Sequence, residues 1–152
     1  MDYNISKGLI LKFEDLFDQL ENEINAYSSS DKMWILKENI SNSGGNLTTH
    51  IIGNLNHFIG AILGNTGYIR KRDIEFSIKN VSKEKLLSEL QDVKTIVVST
   101  LQKINDDAFN QTYPFEFPKK EFKPTTFEFM LHILGHLAYH IGQINYHRRL
   151  LS

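Results

Sequence analysis

The apolar positions of the chain fall into four runs with helical spacing, separated by stretches where that spacing is lost. In the first, Leu9, Ile10, Phe13, Leu16, Phe17, Leu20, Ile24 and Tyr27 recur at steps of three and four, which puts them on one face of a helix. Ser28, Ser29, Ser30 and Asp31 end it. The second run passes through Leu47, Ile51, Ile52, Leu55, Phe58, Ile59, Ile62 and Leu63, with Asn46 as its predicted N-cap and Gly64-Asn65 as its end. Leu86, Leu87, Leu90, Val93, Ile96, Val97, Leu101 and Ile104 form the third stripe, opened near Ser82 with Glu84 placed favourably for the helix dipole and closed by Asn105-Asp106-Asp107. The fourth begins after Pro124 at Thr125-Thr126-Phe127-Glu128, the spacing of a capping box, and continues almost to the last residue. The predicted helices therefore lie near residues 5–27, 46–64, 82–105 and 125–150.

Two connections are long, about residues 66–81 and 107–124. Ile74-Glu75-Phe76-Ser77-Ile78 and Phe115-Glu116-Phe117 alternate apolar and polar positions briefly, but Pro114 and Pro118 favour extended loop over strand. The pattern predicts an all-α, up-down four-helix bundle with a long crossover connection. A length of 152 residues fits one domain over 1–152, since a second core would leave each half near the marginal size.

Composition narrows the function. There are 17 Lys and Arg against 18 Asp and Glu, so no global positive field exists to hold a nucleic-acid backbone, and no such partner is expected. No run approaches the roughly 18 uninterrupted apolar residues of a membrane span. The acidic N-terminus, with its spaced apolar residues, is unlike a signal peptide, so a cytoplasmic protein without a membrane role is expected. Cysteine is absent, which removes disulfides, thiolate metal sites, Fe–S clusters and a Cys nucleophile. A metal would have to be held by His, Asp or Glu.

The six histidines are the informative residues, and four of them fall in the last helix, within His132-Ile-Leu-Gly-His136-Leu-Ala-Tyr-His140-Ile-Gly-Gln-Ile-Asn-Tyr-His147. At about 100° per residue, His136 and His140 project from one face, the spacing by which a helix offers two imidazoles to one ion. A lone pair of this kind is commonly exposed or hydrogen-bonded in a core. Here Leu137, Ile141 and Ile144 lie beside it, and His50 sits in the apolar stripe of the second helix. Burying imidazoles together without a partner is costly, and an ion satisfies them. Leu137 follows His136, so the HExxH general base is missing; paired Glu-x-x-His motifs and phosphate-cradling glycine loops are missing too.

These residues make the chain resemble the DinB-like (YfiT-like) metal-binding four-helix bundles over nearly its whole length. The likeness is carried by Asn46-Leu47-Thr48-Thr49-His50-Ile51-Ile52-Gly53-Asn54 and by His136-Leu137-Ala138-Tyr139-His140-Ile141-Gly142-Gln143-Ile144. Arg70-Lys71-Arg72-Asp73-Ile74-Glu75-Phe76 resembles a segment of one branch without an assigned activity. The resemblance implies one divalent ion on His50, His136 and His140, with Zn or Ni first and Fe, Mn or Co also able to take imidazole. Relatives include thiol S-transferases that use bacillithiol, mycothiol or glutathione, and a maleylpyruvate isomerase. Ile141 stands where the commoner HRGQ pattern has a basic residue.

The expectation is thus a metal-dependent enzyme acting on a small molecule, possessing a three-His site and S-transferase-like chemistry with a low-molecular-weight thiol; the alternative is a non-catalytic metal-binding or stress-response module. A homodimer is expected from the resemblance. Asn54 and Gln143 either orient ligands or pack between helices. His132 lines the pocket or sits at its rim, His57 is the competing second-helix ligand, and His147 beside Arg148-Arg149 reads as solvated. Arg70-Lys71-Arg72 is either an anion site or a surface basic run. Phe115, Phe117, Phe122 and Trp34 either roof the pocket or pack in core and loops. His50 near the start of its helix predicts a site toward one end of the bundle, under the long connections.

Overall fold

The computed structural model describes residues 4–151 and is helical throughout, with no strand among the described residues. Five α-helices occur: α1 (Ile5–Ala26), α2 (Gly44–Leu55), α3 (Arg72–Ser77), α4 (Lys83–Lys103) and α5 (Thr126–Leu150). Four match the apolar runs. The fifth, α3, lies where extended chain was expected.

The helix starts follow local chemistry. Thr125 and Glu128 form the capping box of α5, each satisfying the other's backbone N–H. Ser82 caps α4 by accepting from the Lys85 N–H. The cap of α2 is Ser43, not Asn46, so the helix begins earlier than the sequence suggests. Gly44 and Gly45 look like a breaker but sit inside the first turn because neighbours press on them. A Cβ at Gly44 would lie 2.1 Å from the Tyr27 hydroxyl, and one at Gly45 2.7 Å from the Trp34 ring. At its other end α2 widens into a π-helical turn, Asn56–Ala61, instead of continuing regularly to Gly64.

Cross-links between helix ends fix the directions. Tyr27 after α1 hydrogen-bonds His147 near the end of α5 (2.6 Å), and Lys83 at the start of α4 donates to the Tyr27 carbonyl (2.7 Å). At the opposite end the Ile5 N–H donates to Asp106 beyond α4 (3.2 Å), while Phe58 packs edge-to-face on Phe129 at the start of α5. So α1 and α5 run one way, α2 and α4 the other. The order is up, down, down, up, which departs from up-down alternation at the second and third long helices and joins them by a long crossover, as expected. Residues 62–82 must therefore return along the length of the protein, and this crossover carries α3. Each of α1 and α2 packs on both α4 and α5, around a core that includes Phe13, Leu20, Ile51, Leu55, Leu86, Val97, Phe129 and Ile144. Fully burying one such side chain contributes about 1.5–3 kcal/mol, which is why the apolar stripes dictate the arrangement. Among the described residues no helix is long and apolar enough to cross a membrane.

Candidate metal centre

α2 runs antiparallel to α5, and the two present His50 to the His136/His140 pair. The His50 Nε2 lies 3.2 Å from the His136 Nε2, which lies 3.1 Å from the His140 Nε2. All three offer donor atoms within 4.8 Å of one another. Tetrahedral Zn–N bonds of about 2.0–2.1 Å separate their nitrogens by roughly 3.3 Å, so the spacing suits one ion.

The outer nitrogens show which face of each ring is free. His50 Nδ1 lies 2.9 Å from Glu75 Oε2, and His140 Nδ1 lies 2.6 Å from Gln143 Oε1. A carboxylate and an amide oxygen only accept, so both Nδ1 atoms carry the proton and both Nε2 atoms present lone pairs inward. The His136 Nε2 stands between these two lone pairs, where a proton of its own could reach one of them, while a cation at the centre would satisfy all three nitrogens. Burial, helped by the neighbouring His140 and His50, holds His136 down at about 4, and burial likewise lowers His140 although Gln143 opposes it. Neutral imidazole is the ligating form. The residues therefore fit a divalent ion, with His50, His136 and His140 as its donors.

Glu75 is the residue that sequence reasoning missed. It is 6% exposed and sits on α3. Arg70 grips it as a fork, Nε to Oε1 at 2.7 Å and Nη2 to Oε2 at 2.9 Å. Burial alone would raise its pKa, but the hydrogen bonds from His50 and Arg70 and the Arg70 charge hold it below the ordinary carboxylate value. Room for it comes from Gly53: a Cβ there would stand 2.2 Å from Glu75 Oε1. Asn46 Nδ2 donates to the Glu75 and Ile78 carbonyls, and the Thr49 hydroxyl lies 2.6 Å from the Glu75 carbonyl. Asn46, Thr49, His50 and Gly53 of the second-helix motif thus all hold α3. Phe76 covers the His50 ring at 4.8 Å between centroids, and Arg72 stacks on Phe76. The one sequence signal was the Arg70–Phe76 string itself, whose basic residues suggested an anion site; the Arg70 fork is instead occupied by Glu75.

The other candidates fall outside the cluster. His57 packs its ring on Phe58 and Phe115, and burial followed by the Arg70 charge lowers its pKa. Exposed His132 stacks on Phe129, one turn before His136. Asn54 is buried with its side-chain oxygen unpaired among the described residues. His147 is not solvated: it is 3% exposed, pairing with the Tyr27 hydroxyl through Nδ1 and the Ile35 carbonyl through Nε2. It is buried because its position on α5 points under the α1–α2 connection, while Arg148 turns to Glu23. Trp34 is buried, with its indole N–H on the Val81 carbonyl; Phe115, Phe117 and Phe122 cluster with one another.

No curated protein matches the chain. Residues 4–152 match the protein family DUF1572, described as a protein of unknown function. A match that spans nearly every residue, both histidine-bearing helices and the crossover included, places the chain in the DUF1572 family.

Proposed function

We propose that this chain is a DinB-like four-helix bundle working as a divalent-metal-dependent enzyme on a small molecule, with thiol S-transfer as its chemistry. The observation that carries the reading is the convergence of three Nε2 atoms, those of His50 and His140 at 3.2 and 3.1 Å from that of His136, with the outer nitrogens of His50 and His140 already occupied. Closed structural sites use four protein ligands, whereas three leave a position for substrate. A divalent ion held there supplies Lewis-acid activation and lowers the pKa of a bound thiol or water. The protein's own groups disfavour protonation of His136 and His140, orient the rings of His50 and His140 through Glu75 and Gln143, and shield His50 behind Phe76. In S-transfer the thiol gives up its proton and its sulfur bonds to an electrophilic carbon as the carbon–chlorine or epoxide carbon–oxygen bond breaks; the proton passes to solvent as chloride leaves, or ends on the opened epoxide oxygen.

The test has two arms. Untagged protein is analysed for bound Zn, Ni, Fe, Mn and Co, then loaded and assayed with bacillithiol, mycothiol or glutathione against a chlorinated or epoxide electrophile. Conjugate formation that disappears in His136→Ala supports the reading. Metal without any rate above that variant, or a fourth protein ligand on the ion, leaves a metal-binding module instead.

The same proposal includes a homodimer. The outward face of α5 exposes Leu131, Tyr139, Tyr146 and Leu150, and Gly135 and Gly142 on that helix have open space where a Cβ would stand. Light scattering at micromolar concentration tests it, a monomeric mass being the contrary result.

A further inference from the structure

A metal-binding histidine almost always donates its other ring N–H to a carboxylate, a backbone carbonyl or water, which fixes its tautomer and orientation. Here that group for His50 stands on a six-residue helix in the middle of the crossover, held to α2 mainly by side chains. We propose that Glu75 is the positioning residue for His50, and that through it the docking of α3 on α2 is coupled to occupancy of the three-histidine centre. The inference rests on the metal reading above and specifies how that site is organised.

Geometry carries it. The Glu75 carboxylate is gripped by Arg70 at 2.7 and 2.9 Å and faces His50 Nδ1 at 2.9 Å. Arg70 Nη2 also approaches His50 Nδ1, at 3.3 Å, but guanidinium has no acceptor, so the Nδ1 proton has only the carboxylate to point at. This selects the tautomer whose Nε2 faces the centre. The carboxylate can come so close only because residue 53 is glycine. Three further contacts, two from Asn46 and one from Thr49, grip the carbonyls of Glu75 and Ile78, so that α3 and His50 are held as one unit. Whatever favours the ligating orientation of His50 favours the docked position of α3, and the coupling is reciprocal. A helix this short has little stability of its own, so its order depends on these contacts.

Three measurements on the whole untagged chain test the proposal. The first reads the His50 imidazole tautomer from nitrogen-15 spectra of the metal-free protein. The second is Zn2+ affinity by competition with a chromogenic chelator. The third is amide hydrogen exchange over residues 72–78, with and without Zn2+. Wild type is expected to show the Nδ1–H tautomer and a Zn2+-dependent slowing of exchange in α3. Glu75→Leu should mix the tautomers, weaken Zn2+ binding about 10- to 100-fold and abolish that slowing. Glu75→Gln has the same size and keeps an oxygen acceptor, so it should recover part of the affinity, which a role in packing alone would not produce. If Glu75→Leu fails to fold, the loss on Glu75→Gln relative to wild type carries the test. Zn2+ affinity within twofold of wild type in the variants, with an unchanged tautomer, overturns the positioning role. Exchange in α3 indifferent to Zn2+ overturns the coupling. Wild type that binds no Zn2+ refutes the metal centre itself, while a tautomer change in Glu75→Leu would still support Glu75 as the group that orients His50.

Discussion

A histidine on a buried helix face serves either as ligand or as core hydrogen-bonding group, and its partners decide which. Among the described residues the His136 Nε2 has the Nε2 atoms of His50 and His140 as its polar neighbours, whereas His147 spends both nitrogens on Tyr27 and the Ile35 carbonyl. His50→Ala, His136→Ala and His140→Ala are therefore each expected to abolish stoichiometric metal binding in titration calorimetry. His57→Ala and His132→Ala should bind metal as wild type does. His147→Ala should also keep its metal but lose roughly 1–3 kcal/mol in chemical denaturation, because its buried partners are left unpaired. Acid should act through His136 in the chelator-treated protein. The folded-state pKa near 4 lies below the ordinary 6.5, so the unfolded chain binds the proton first. Stability is full above about 6.5 and falls as pH drops toward 4, where a melting-temperature series checks it. That His50, His136 and His140 come close together was legible from the i, i+4 spacing, the His50 stripe and the family resemblance. The burial of His147 was not, because two arginines follow it and the chain that covers it is remote in sequence.

Among the elements, the long helices were legible because their apolar stripes and end residues agree. The start of α2 and the whole of α3 were not. Gly44-Gly45 reads as a break unless Tyr27 and Trp34 are known to press on it, and α3 has no stripe of its own. Its carbonyls find donors on Asn46 and Thr49, some thirty positions earlier in the chain. The glycines separate close approach from open surface. Replacing glycine by alanine inside a helix ordinarily stabilises by about 0.5–1 kcal/mol. That gain is expected at Gly135 and Gly142, measured by urea unfolding of the monomer, and in a dimer built on this face the same changes should weaken association. Gly53→Ala should have the opposite sign and cost roughly 1–3 kcal/mol, since its Cβ meets the Glu75 carboxylate. A stabilised Gly53→Ala protein would mean that α3 moves aside freely.

For the molecule as a whole, the two middle helices run parallel, and this has a functional consequence. The crossover that joins them must pass along the protein, and it delivers Glu75 to His50 on the way. Direction is not written in the spacing of apolar residues: the long crossover was expected, but which helices it joins in parallel is set by contacts at the helix ends, and part of residues 66–81 is helix where extended chain was expected. What the fold brings together is three imidazoles from two helices, pinned from outside by Glu75 and Gln143. The most direct test of this account is elemental analysis of untagged protein, wild type beside His136→Ala, after equilibration with Zn2+ and removal of free ion. The account predicts about one ion per chain in the wild type and essentially none in the variant, as a three-histidine site requires. Equal metal in both proteins, or none in either, would contradict it.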